Sequence, residues 1–131
     1  MRDLRQARSM IGMAIKDCRA LAGMMDFEVF AEEVFGFHVQ QSAEKAMKAW
    51  LALLGSEYPL THDLSILLRF LTEAGQDVEQ YWDLVEFNAF AVQFRYESFG
   101  SPDEPLNRVD ALNTVHRLVE HVRNLVDTGS E

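Results

Sequence analysis

The stretch HVQQSAEKAMKAWLALL, residues 38–54, decides how the chain folds. At about 100° per residue, Val39, Ala43, Ala46, Met47, Trp50, Leu51 and Leu54 gather on one broad face of a helix. Gln41, Glu44, Lys45 and Lys48 fall on a narrow stripe opposite. Their i, i+3, i+4, i+7 spacing makes these four polar side chains neighbours. The pattern predicts a helix that packs one face into a bundle and presents an ordered polar row on the other.

Upstream, Leu4 to about Met24 carries Leu4, Ala7, Ile11, Ala14, Ile15, Cys18 and Leu21 at helical spacing, with Gly23 as the stop. Asp26 reads as an N-cap for 27–35, with Val29 or Phe30 as the first inward residue. Residues 26–54 then form one long helix or two nearly collinear ones, with Gly36 kinking the helix or leaving it intact.

Downstream, Gly55 ends that helix and Pro59 lies in a short connection. Thr61 reads as the N-cap of a third helix, with Asp63 in its first turn, where the helix dipole favours negative charge. Leu64, Leu67, Leu68 and Leu71 form its apolar stripe and Gly75 ends it. A fourth helix starts near Asp77, with Gln80 at capping-box spacing, and runs to about Phe94. Tyr81, Trp82, Leu84, Val85, Phe87, Phe90, Ala91, Val92 and Phe94 make it apolar nearly all round, so it needs cover on more than one side. A second subunit supplies that cover in a homodimer built on this helix; the alternative is a central position within one subunit. After Tyr96 the stretch ESFGSPDEP is a loop, and Leu106 to Val126 is the last helix, its stripe including Leu106, Val109, Leu112, Val115, Leu118, Val119 and Val122. The expectation is an all-α, up-and-down bundle of four to five helices, a single domain over residues 1–131.

Composition sets limits on function. Of 131 residues, 48% are hydrophobic and 25% charged, which is ordinary for a globular chain. Apolar runs are short and broken by charge, and the start MRDLRQARS lacks a signal peptide's apolar core, so a cytoplasmic protein is expected. Cys18 has no second cysteine to pair with and reads as a small buried side chain. A net charge of −9 repels phosphate backbones, so any RNA contact must be local. Arg2, Arg5, Arg8, Lys16 and Arg19 on the first helix, and Arg108, Arg117 and Arg123 on the last, read as solvated faces.

Familiar catalytic patterns are missing. His116 and His121 lie roughly 140° apart on one helix and do not share an ion; His116 with Glu120 has usable spacing, but the inward carboxylates of a di-iron bundle are lacking. No metal or cofactor is expected. There is no phosphate-cradling glycine loop and no nucleophile elbow. Polar residues at helix ends and stripes remain: Gln41, Glu44, Lys45 and Lys48; Thr61, His62 and Asp63; and Asn88 with Arg95, seven apart on an otherwise apolar helix. Arg95 cannot shed its charge, so if half-buried it needs a carboxylate such as Glu44 or Asp63, or a phosphate.

Gln41-x-x-Glu44-Lys45-x-x-Lys48, then Thr61-His62-Asp63-Leu64, then Phe94-Arg95-Tyr96 resembles the HEPN domain family of prokaryotes, from about Ala7 to Val126. The resemblance implies a small helical bundle that dimerises, similar to the helical, substrate-binding domain of nucleotidyltransferases. Many members stand beside a minimal nucleotidyltransferase in toxin–antitoxin pairs. It therefore implies a homodimer that partners such an enzyme and takes nucleotide or RNA, with Tyr96 beside Arg95 at the binding or interface region.

RNase members of the family combine an arginine, a polar residue and, four to six positions later, a histidine. Here Arg95 is followed by Tyr96, and no histidine appears before Pro105. Arg108 and His116 stand too far apart, roughly 12 Å along a helix axis. The RNase motif is not met, and neither is the family's adenylylated tyrosine. Arg95 and His62 are the catalytic candidates that remain, with His62 standing in from another helix. Two alternative readings follow: a metal-independent endoribonuclease with a degenerate Arg/His site, and a purely structural dimer whose polar row sets register.

Overall fold

The computed structural model describes residues 3–92 and 106–129, and among these all regular structure is helical, with no strand. Helix α1 (Leu4–Ala22) starts at Asp3, whose carboxylate accepts a hydrogen bond from the Gln6 amide as an N-cap should. Ala7, Ile11, Ala14, Cys18 and Leu21 are buried, as the spacing predicts.

Helix α2 (Glu32–Leu53) begins later than the sequence suggests. Asp26 heads a turn: its carboxylate takes the Glu28 amide, and its carbonyl takes the amides of Val29 and Phe30. Phe27 and Val29 are 74% and 70% exposed, so Val29 is not an inward residue. The cause lies on the last helix. Arg108 is buried rather than solvated, and it donates to the carbonyls of Met24 and Phe30 at 2.6 Å each. Its guanidinium also lies over the rings of Phe27 and Phe35. The Phe30 carbonyl, which a helix through 27–35 would use internally, is thus committed to a side chain, and the Met24 carbonyl ahead of it is held by the same guanidinium. Gly36 leaves α2 unbroken, and a Cβ there would come within 2.6 Å of the Phe90 ring.

Helix α3 (Leu64–Glu73) is capped by Asp63, not Thr61: Asp63 accepts the Ser65 amide, while Thr61 accepts the amide of Asp63 itself. Gly55 and Gly75, at φ 74° and 86°, turn the chain out of α2 and α3. The expected fourth helix is a 3₁₀ helix (Glu79–Asn88) that runs into the short α4 (Ala89–Val92). With three residues per turn, side chains at i and i+3 eclipse. Tyr81, Leu84 and Phe87 therefore form one buried row, while Asp83, Glu86 and Ala89 form an exposed one. Trp82 and Val85 share a third row, with Trp82 38% exposed. The segment is not apolar on all sides, which corrects the reading at 100° per residue.

Helix α5 (Arg108–Gly129) buries Ala111, Val115, Leu118, Val119, Val122 and Val126. Val109 is exposed, because Arg108 takes the inward position at the helix start. Helices α1, α2 and α5 pack on one another, while α3, the 3₁₀ helix and α4 cover the remaining side of α2. Trp50, Phe35, Met47 and Leu51 of α2 are almost wholly enclosed, each stabilising the fold by about 1.5–3 kcal/mol relative to exposure. Among the described residues no helix is long and apolar enough to cross a membrane.

Candidate functional site

The polar row on α2 does not face water. Gln40, Glu44 and Lys48 follow one another at i, i+4 and i+8 and all three are buried, Gln40 and Glu44 against the N-terminal approach to α3. Glu44 is the hub. Its Oε1 accepts from Gln40 Nε2 at 2.9 Å and meets His62 Nδ1 at 2.8 Å, while its Oε2 accepts from Lys48 Nζ at 3.1 Å. Gln40 Nε2 also donates to the His62 carbonyl at 2.8 Å, so one side chain fixes both the backbone and the ring partner of the histidine. Gln41 completes the set by donating to Gln40 Oε1 at 2.7 Å.

Burial pushes the Glu44 carboxyl up, but hydrogen bonds from Gln40, His62 and Lys48, with the Lys48 charge, outweigh it and hold the group below its ordinary value of 4.5. An ionised carboxylate only accepts hydrogen bonds. Facing Glu44, Nδ1 of His62 therefore carries the proton when the imidazole is neutral, and Nε2 keeps its lone pair. The two side chains differ sharply in access: Glu44 is 7% exposed and His62 63%. A buried base thus aims an exposed imidazole.

A second knot lies next to the first. Asp63 Oδ1 accepts from the Ser65 amide, from Ser65 Oγ at 2.7 Å and from Asn88 Nδ2 at 2.8 Å. The Ser65 hydroxyl leads in holding the Asp63 carboxyl below its usual range. Asn88 also accepts the Leu64 amide at 2.9 Å, which ties the start of α3 to the end of the 3₁₀ helix.

Of the residues singled out in the sequence, Gln41, Glu44, Lys48, Thr61, His62, Asp63 and Asn88 come together. Lys45 does not. It turns toward α1 and pairs with Asp17 at 2.8 Å, so the expected row of four divides between two neighbouring helices. Arg95 and Tyr96 lie outside the described residues. Gln40 and Arg108 carry more of the architecture than the sequence suggests. The signal for Gln40 was its position four before Glu44, on the edge of the apolar face. Among the described residues no three His, Cys, Asp or Glu are placed to hold a metal ion; His116 and Glu120 meet only at 3.9 Å on the exposed side of α5.

Fold and cluster together define a small all-α bundle whose second helix carries a buried carboxylate serving an exposed histidine. A family model for the HEPN domain matches residues 7–129, nearly the whole chain, and the protein belongs to the HEPN family. No curated protein and no solved structure gives a comparable match.

Proposed function

We propose that residues 1–131 act as one HEPN-like unit that forms a homodimer, partners a minimal nucleotidyltransferase in a toxin–antitoxin-type module, and takes nucleotide or RNA at His62. The observation that carries the ligand site in this reading is the 2.8 Å contact between buried Glu44 and exposed His62. Glu44, Lys48 and Gln40 are buried at a desolvation cost, and the group their network holds at the surface is an imidazole with 63% of its side chain open to a ligand. Family membership supports the nucleotide or RNA assignment at the level of ligand class.

Titration of the purified protein with a labelled nucleoside triphosphate and with a short single-stranded RNA tests it. Binding of one of them, weakened about tenfold or more by His62→Ala, is the expected result. Binding of neither, or binding indifferent to His62→Ala, contradicts it.

One observation favours a second reading, a metal-independent endoribonuclease. The Nε2 lone pair left by Glu44 has the disposition of a general base. On that reading a mixed RNA pool is cleaved in the presence of a chelator, and Arg95→Ala and His62→Ala each abolish the cleavage.

A further inference from the structure

The face of α1 turned away from the core has a pattern that the packing of this chain does not explain. Arg5, Arg8, Gly12, Lys16 and Arg19 lie within about 80° of one another around the helix, with Gly12 near the centre. All four cations are exposed, and among the described residues none makes a hydrogen bond or ion pair. The one acidic side chain inside this helix, Asp17, faces elsewhere and is held by Lys45. Four uncompensated positive charges in line are conspicuous on a chain of net charge −9. Arg5 also stands in the first turn, where the helix dipole disfavours a cation.

Gly12 is the second observation. A glycine inside a helix costs about 0.5–1 kcal/mol relative to alanine. A Cβ at this position meets nothing within 4 Å, so no neighbour in this chain requires the glycine. What a missing side chain provides at the middle of an exposed face is close approach for another backbone.

We propose that this face of α1 docks an acidic helix of a partner protein, which crosses α1 at Gly12 and sets its carboxylates against the two cation pairs. Arg5 with Arg8, and Lys16 with Arg19, are i, i+3 pairs separated by eleven residues, or roughly 16 Å along the axis. Eleven residues make about three helical turns, so a partner helix with acidic pairs at that interval presents both on one face. A second copy of α1 is a poor occupant, because either direction of crossing sets cations against cations. A nucleic acid is disfavoured by the overall negative field and makes no use of a central glycine. The surface is separate from the His62 cluster, since α1 packs on α2 and α5 and does not reach α3.

The test uses two labelled alanine-based helical peptides of identical composition: one with two glutamate pairs eleven residues apart on one face, the other with the same glutamates spread around the helix. A short single-stranded RNA is the third probe. The patterned peptide is expected to bind about tenfold or more tightly than the dispersed one. The double variant Arg8→Glu, Arg19→Glu is expected to lose that binding. Gly12→Leu should lose it too, with stability to urea unchanged or raised, which separates a blocked surface from a damaged fold. Equal binding of the two peptides, binding indifferent to Gly12→Leu, or RNA binding that His62→Ala leaves intact and Arg8→Glu, Arg19→Glu abolishes overturns the proposal. So does self-association of the unmodified protein that Arg8→Glu, Arg19→Glu abolishes.

Discussion

Glu44 illustrates how much one buried charge decides. Its carboxylate is held by a cation, an amide and an imidazole, so removing its charge leaves Lys48 enclosed without a counterion. Glu44→Gln is expected to destabilise the fold by about 3 kcal/mol, read from urea denaturation. The sign of the pH dependence follows from the lowered carboxyl. A group that ionises more readily folded than unfolded stabilises the fold above its ordinary value, here 4.5, and that stabilisation is lost as pH falls through the lowered folded value. Stability of the native protein is therefore expected to fall as pH drops below about 4.5, and the fall should be shallower in Glu44→Gln. Identical slopes in the two proteins would remove Glu44 from the account.

At the level of elements, the long helices were legible and the joints were not. Apolar residues recurring at helical spacing marked α1, α2, α3 and α5 because each buries one continuous stripe. The 26–31 turn was not legible, because its conformation depends on Arg108, more than seventy residues away in sequence. The 3₁₀ segment was misread for a local reason: YWDLVEFNA separates into clean buried, mixed and exposed rows at a period of three and blurs at 3.6. The candidate site was legible as a set of residue types, while its burial was not. Gln41, Glu44, Lys45 and Lys48 look like a solvated stripe until α3 is laid over part of it. Arg108→Leu tests the joint. It keeps an apolar contact with the aromatic rings but strands two carbonyls, and a loss of about 2 kcal/mol in urea is expected. Faster amide exchange should appear over residues 26–31 ahead of the core of α2.

For the whole molecule, the period-three rows narrow the question of assembly. The proposed homodimer no longer has a helix apolar on all sides to cover; among the described residues of that segment, the apolar row open to a partner is Trp82 with Val85, bordered by Asp83 and Glu86. Sedimentation is expected to show a dimer that Trp82→Glu converts to monomers. A monomer at all concentrations in the unmodified protein would remove the dimer from the proposed function while leaving the His62 site intact. The same division holds for the α1 face, whose helix packs on α2 and α5 and does not reach α3.

The claim that a buried carboxylate aims His62 outward for a ligand is tested most directly by nitrogen NMR of the imidazole in alkaline buffer, with and without nucleotide or RNA. The account predicts a proton fixed on Nδ1, an unprotonated Nε2 whose resonance moves when the ligand is added, and loss of the tautomer preference in Glu44→Gln. A proton on Nε2, or a spectrum unchanged by both the ligand and Glu44→Gln, would contradict it.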